Sequence, residues 1–152
     1  MKSLIVYDSF FGNTEKVAQA IGSVLNATVR RVTNVVPEDL ENLDFLIVGS
    51  PTRSFRPSPA ITEWLDALPA GSLRGVKVSA FDTRIPASTI KSPVFRYIVG
   101  HAGYADALII RTLVKKGGIL SVPSEGFLVE GTEGPLAEGE LERASAWAQK
   151  FL

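Results

Sequence analysis

Residues 4–14 read Leu-Ile-Val-Tyr-Asp-Ser-Phe-Phe-Gly-Asn-Thr, and few folds accommodate such a stretch. A short apolar run, Leu4 to Tyr7, enters a loop rich in hydroxyl and amide groups. From Asn13 or Thr14 the apolar positions Val17, Ala20, Ile21, Val24 and Leu25 recur at helical spacing. A strand that feeds a tight loop into a helix N-terminus gathers unpaired backbone N–H groups and the positive end of the helix dipole at one point. That arrangement suits a phosphate. Ser9, Asn13 and Thr14 add donors, and Gly12 permits close backbone approach or a positive φ. Ser9 and Asn13 are also good helix-capping residues, so the segment alone leaves both readings open.

The loop differs from the common nucleotide-binding patterns. Neither G-x-x-x-x-G-K followed by Ser or Thr, nor G-x-G-x-x-G, follows the first strand. No Lys or Arg lies within the loop; Lys16 follows in the first helical turn, opposed by Glu15. Hydroxyls and amides without cations suit a stably held cofactor better than a triphosphate that is hydrolysed.

Further strands are expected near 2–8, 28–33, 44–50, 76–82 and 119–122 continuing to 127–130. Helices are expected near 13–25, 58–68, 102–116 and 138–151, with a weak one near 37–42. Pro59 fits a first helical turn, and Gly117-Gly118 closes the fourth helix. The alternation predicts one α/β domain over 1–152, a three-layer doubly wound sandwich around a five-stranded parallel sheet. Right-handed crossovers restrict the topology, and five strands taken in the order 2-1-3-4-5 place the switch point between the first and third strands, where ligands bind. Trp64 and Trp147 sit at helical spacing with other apolar residues and read as core. The stretch 83–101, with Phe95, Tyr97, Ile98 and Val99, reads either as a cover over the site or as a short extra helix. His101 reads as a helix-start residue rather than a catalyst.

Taken in order, three loops resemble the flavodoxin family. Ser9-Phe-Phe-Gly-Asn-Thr14 resembles its phosphate loop, Ser/Thr-x-Thr/Ser-Gly-Asn-Thr. Gly49-Ser50-Pro51-Thr52 resembles the start of its first flavin-ring loop, and Phe81-Asp82-Thr83-Arg84 occupies the place of its second. Gly131 to Leu136 and Gly139 to Arg143 resemble the tail of such domains. The resemblance spans essentially the whole chain. It implies non-covalent FMN, with Ser9, Phe10, Phe11, Gly12, Asn13 and Thr14 about the phosphate. Ser50, Pro51, Thr52, Arg53 and Phe55 would meet one side of the ring, and Phe81, Asp82, Thr83 and Arg84 the other. No side chain acts as acid, base or nucleophile, and no metal is implied. Phe11 replaces a usual hydroxyl residue, and the Trp and Tyr that often sandwich the ring have no counterparts; Phe55 is the nearest aromatic, with Tyr97 and Tyr104 further on. The implied role is electron transfer between a reductase and an acceptor. Two alternatives stand beside it: a small flavin-dependent reductase acting on a quinone, and a flavodoxin-like binding module without flavin.

Composition excludes several other classes. A receiver domain of the same topology needs a phosphoacceptor Asp ending the third strand, where Gly49-Ser50 stands, and a small tyrosine phosphatase needs a Cys, of which there is none. One His and no Cys exclude His-cluster and thiolate metal sites. Zero net charge and no aromatic–basic platform argue against nucleic acid. No stretch approaches a membrane span, and Met1-Lys2 enters a strand without a signal-peptide plan, so a cytoplasmic protein, monomeric or weakly dimeric, is expected. Residues 51–118 hold ten Lys/Arg against four Asp/Glu, whereas 119–152 hold two against six. Arg53, Arg56, Arg84, Lys91 and Arg96 fall in or beside the ring loops, which suggests acidic-surfaced redox partners. As free cations, two or three of Arg53, Arg56 and Arg84 would raise the semiquinone–hydroquinone potential of a bound flavin by on the order of 100 mV; as a solvated surface they would pair with carboxylates.

Overall fold

The computed structural model describes residues 1–86, 93–94 and 104–152. Its elements follow the expected alternation: β1 (Ser3–Tyr7), α1 (Asn13–Leu25), β2 (Thr28–Arg31), β3 (Phe45–Pro51), α2 (Pro59–Ala67), β4 (Lys77–Arg84), α3 (Ala105–Lys115), β5 (Ile119–Leu120), β6 (Glu125–Leu128) and α4 (Glu140–Gln149). The weak helix expected near 37–42 is a 3-10 turn over Pro37–Leu40. The sheet is parallel in the order β2-β1-β3-β4-β5, with β6 also paired to β4. Among the described residues no helix is long and apolar enough to cross a membrane.

The central strands are buried on both faces, so their sequences are apolar runs whose alternate residues serve different cores. Leu4, Val6, Leu46, Val48, Val78 and Ala80 face Ile61 and Leu65 of α2 and Ile109 and Leu113 of α3. Ile5, Tyr7, Phe45, Ile47 and Phe81 face Val17 and Ile21 of α1 and Ala144, Trp147 and Ala148 of α4. Trp147 joins Phe81, Phe127 and Phe151 in edge-to-face contacts, and Trp64 packs against the first core. Both tryptophans are therefore packing residues, as their spacing indicates.

The fifth strand position departs from a continuous strand. β5 pairs with Lys77 and Val78, β6 with Phe81 to Arg84, and residues 121–124 separate them. Pro123 has no N–H to give to the ladder at that point. Two carbonyls in the break find other donors: Ser79 Oγ donates to Val122 O at 2.7 Å, and Trp147 Nε1 donates to Pro123 O at 3.1 Å.

Packing beneath the sheet's carboxyl end is tight at one point. Gly49 pairs with Phe81 across β3 and β4, and a Cβ built on Gly49 would lie 2.1 Å from the Phe81 ring. Gly49→Ala is expected to lose about 2 kcal/mol or more in denaturant unfolding, the cost of overpacking a filled site. Adding Phe81→Leu should recover part of that loss, whereas strictly additive costs would contradict the contact.

Candidate functional site

Three loops leave the carboxyl end of the sheet: Tyr7, the last residue of β1, pairs with Gly49 and Gly49 with Phe81, beyond which β3 runs on to Pro51 and β4 to Arg84. The first covers residues 8–12. Asp8 N donates to Gly49 O at 3.1 Å, and Asp8 Oδ1 accepts from Ser9 N at 2.9 Å. Arg31 Nη1 donates to Ser9 O at 2.9 Å and to Asp8 Oδ1 at 3.3 Å, which holds the Asp8 carboxylate against β2. Ser9 Oγ accepts from Gly12 N at 3.0 Å. Gly12 is the residue before α1, at φ 90°, a conformation that favours glycine, and among the described residues no side chain caps the helix.

The capping reading is thereby excluded in its simple form. Ser9 serves the loop itself, and Asn13 Nδ2 donates instead to Glu133 O at 3.1 Å in the loop after β6. The first intrahelical acceptor, Gly12 O, is taken by Lys16 N. The N–H groups of Asn13, Thr14 and Glu15 have no acceptor among the described residues. Thr14 Oγ1 lies 2.8 Å from Thr83 Oγ1, so one of the two hydroxyls donates to the other and one proton is left to give.

The second loop follows β3. Ser50, fully buried, accepts from Ser58 N at 2.9 Å and donates to Pro51 O at 2.8 Å, which fastens the loop to the start of α2. Thr52 N donates to Thr83 O at 2.9 Å, and Thr52 Oγ1 accepts from Ala105 N at 3.2 Å. Arg53 and Arg56 exchange backbone hydrogen bonds of 2.9 Å in both directions, with Ser54 at φ 49° and Phe55 at φ 65° between them. Two positive φ values in a two-residue turn are the type I′ geometry, and for a bulky residue such as Phe55 that conformation carries strain. The Arg53 guanidinium lies 4.9 Å from the Phe10 ring centroid and 5.2 Å from that of Phe11. Both rings are half exposed, at 49% and 48%.

The end of β4 is built around a buried charge. Asp82 is fully buried and receives Arg84 Nε at 2.6 Å, Arg84 Nη2 at 2.7 Å and Asp106 N at 3.1 Å. Arg84 also contacts Asp106 at 3.2 Å and lies 3.8 Å above the Tyr104 ring. A Cβ on Gly126 would sit 2.2 Å from this guanidinium, so the space is available only because β6 has glycine there. Arg84 is therefore compensated by two carboxylates and is not the free cation that the charge pattern suggested.

The loops enclose a cleft of about 290 Å³. Of the residues expected there, Ser9, Phe10, Phe11, Asn13, Thr14, Pro51, Thr52, Arg53, Thr83 and Arg84 line it. Ser50, Phe81 and Asp82 do not: all three are fully buried, Phe81 within the core and the other two in hydrogen bonds that shape the loops. Gly12 contributes backbone, and Phe55 lies in the strained turn. Ser54, Ile85, Val129 and Thr132 also line the cleft. The last belongs to the 131–136 segment that resembles a flavodoxin tail, the one signal that pointed there. Arg56 borders a separate groove of about 420 Å³ between α2 and α3. Lys91, Phe95, Arg96, Tyr97, Ile98, Val99 and His101, with most of the expected cover over 83–101, lie outside the described residues.

Burial pushes the Asp82 carboxyl up to about 7, against the hydrogen bonds and charge of Arg84, from an ordinary value of 3.8. Between about pH 4 and 7 the folded protein holds a proton here that the unfolded chain has released. The contribution of Asp82 to stability therefore falls as pH rises through that window and is level above it. Denaturant unfolding of the parent and of Asp82→Asn from pH 4.5 to 8 should show the parent losing ground to the variant up to about pH 7. A difference independent of pH would contradict the burial effect.

No family model matches the chain. It is 32% identical over 100 residues to an NAD(P)H dehydrogenase (quinone) of Cupriavidus metallidurans, covering 49% of this chain and 50% of that protein. It is 36% identical over 69 residues to an uncharacterised protein of Methanocaldococcus jannaschii, covering 45% and 46%. The matched stretches thus span about half the length of these curated relatives. Among solved structures, oxidised flavodoxin 2 from Bacillus cereus superposes with a TM-score of 0.76 at 23% identity, covering 99% of this chain and 97% of that one. A flavodoxin from the domain Archaea gives 0.71 at 22% identity, covering 97% and 94%. The chain therefore has the flavodoxin fold along essentially its whole length.

Proposed function

We propose that this cleft binds FMN non-covalently and that the protein carries electrons between a reductase and an acceptor. The observation that carries this reading is the open N-terminus of α1. Three N–H groups, of Asn13, Thr14 and Glu15, have no acceptor among the described residues, and the Thr14–Thr83 hydroxyl pair has a proton to donate beside them. A donor set of amides and hydroxyls, completed by the helix dipole, fits a phosphate monoester. Asp8, the nearby carboxylate, is engaged by Arg31 and by Ser9 N, so it need not repel an anion there.

The apolar side chains of Phe10, Phe11, Pro51, Ile85 and Val129 line the rest of the cleft and would exclude water from a flat ring. When bound, the flavin would supply the one- and two-electron chemistry. The chain's residues would hold and orient it, with Thr52 fixing the second loop to β4 and to α3 through its N–H and its hydroxyl. A second reading, direct reduction of a small quinone, is favoured by the match to the Cupriavidus metallidurans protein, whose name carries that activity. Acidic-surfaced partners and a cytoplasmic setting belong to the same proposal.

Purified protein, alone or after incubation with FMN, should show flavin absorbance at close to one flavin per chain, and riboflavin should bind much more weakly. Equal affinity for the two would remove the phosphate assignment, and a colourless protein that takes up neither would favour a binding module without flavin. Thr14→Ala removes a hydrogen bond to a charged group, a loss of about 1.5–3 kcal/mol, or roughly tenfold to a hundredfold in FMN affinity. Gly12→Val should cost more, because a branched residue resists φ near 90°. Fluorescence titration in which both variants match the parent would leave the loop without a role in binding.

A further inference from the structure

The geometry points to Arg53 as the charge that sets the reduction potential of a flavin held in this cleft, an inference that rests on the flavin reading of the site. Among the described residues two guanidinium groups line the cleft, and their electrostatic situations differ. Arg84 is bound by Asp82 through two hydrogen bonds and approached by Asp106 at 3.2 Å, so two carboxylates meet one cation. Seen from the cleft, that cluster adds no positive charge.

Arg53 has no carboxylate partner among the described residues. The sequence explains why: residues 45–62 and 83–105 contain no Asp or Glu, so neither of the loops that follow β3 and β4 brings an acid to it. Its guanidinium rests instead on the faces of Phe10 and Phe11, which orient it without cancelling its charge. The paired backbone hydrogen bonds of Arg53 and Arg56 and the tight turn between them fix where the side chain starts.

A cation held in a partly dewatered cleft without a counter-ion favours whichever ligand state carries more negative charge. Two electrons and one proton taken from a reductant leave a flavin with one more negative charge than before. The phosphate has its own donors at the start of α1, and a planar guanidinium already laid on aromatic faces is suited to lie against another flat ring. Arg53 therefore stabilises the reduced cofactor over the oxidised one.

The test is potentiometric titration of FMN-loaded protein with dithionite and mediator dyes, for the parent, Arg53→Gln, Arg53→Lys and Arg56→Gln. Dissociation constants for oxidised FMN and riboflavin are measured alongside. Arg53→Gln should weaken binding of reduced relative to oxidised FMN about tenfold, a fall of roughly 30 mV for the two-electron couple. Arg53→Lys, which keeps the charge and loses the planar stack, should retain most of the parent potential. Arg56→Gln, in the separate groove, should match the parent. Unchanged potentials in Arg53→Gln overturn the proposal. So does loss of affinity for oxidised FMN but not riboflavin at constant potential, which would assign the guanidinium to the phosphate. FMN uptake with equal potentials defeats this inference alone, whereas a parent that binds no FMN defeats the flavin reading as well.

Discussion

The register of β1, β3 and β4 is the constraint on which the site depends. Tyr7, Gly49 and Phe81 lie side by side, so β1, β3 and β4 end within about three residues of one another and their loops leave the same end of the sheet. A one-residue slip in either pairing would turn alternate side chains to the wrong face and move one loop along the strand axis. Phe81 secures the register from below: its ring occupies the space that Gly49 leaves open and meets Phe127 and Trp147 edge to face. From above, Thr83 ties the loops together, with its carbonyl taken by Thr52 N and its hydroxyl bonded to that of Thr14. Core packing and cleft geometry are thus parts of one arrangement, and a change at Gly49 or Phe81 acts on both.

Charge is distributed around the cleft in two ways. On the β4 side it is internal: Asp82, Arg84 and Asp106 satisfy one another, Ser124 Oγ donates to Asp106 at 2.7 Å, and Tyr104 covers the guanidinium. Removing Arg84 would leave a buried carboxylate without its main partner, so this cluster belongs to folding before it belongs to binding. On the β3 side, the Arg53 guanidinium meets aromatic faces and, among the described residues, no carboxylate. The two arginines are alike in sequence and opposite in what they offer a ligand.

Much of this was legible in the chain, and the gaps have physical causes. The bounds of α1 follow from apolar periodicity and the parallel sheet from the alternation of strands and helices, whereas the strand order agrees with the flavodoxin resemblance and is only restricted by the handedness of crossovers. Ser9, Asn13, Thr14, Pro51, Thr52 and Arg53, which the resemblance to the flavodoxin loops and their position after the strands assign to the site, all line the cleft. The resemblance assigns Phe81 and Asp82 to the second ring loop, and period-two burial cannot say which buried residue of β4 faces the core and which underlies the site; both are fully buried. Ser50 stands in the first ring loop by resemblance, and only its partner Ser58, eight residues on, reveals that its hydroxyl fastens the loop instead. The pairing of Arg84 with Asp106 crosses 22 residues and depends on the docking of α3, which no local pattern reports. Pro123 was present to be read, yet its consequence, a fifth strand position shared by β5 and β6, emerged only with the sheet.

The central claim is that the open start of α1 receives the phosphate of a flavin nucleotide. Amide NMR of isotope-labelled protein titrated separately with FMN and with riboflavin tests it most directly. With FMN, the amide protons of Asn13, Thr14 and Glu15 should move downfield, as they do on donating to an anion, while riboflavin should shift the residues lining the rest of the cleft and leave these three nearly in place. Shifts confined to the groove around Arg56, Leu108 and Thr112, or equal responses of the three amides to both ligands, would contradict the account.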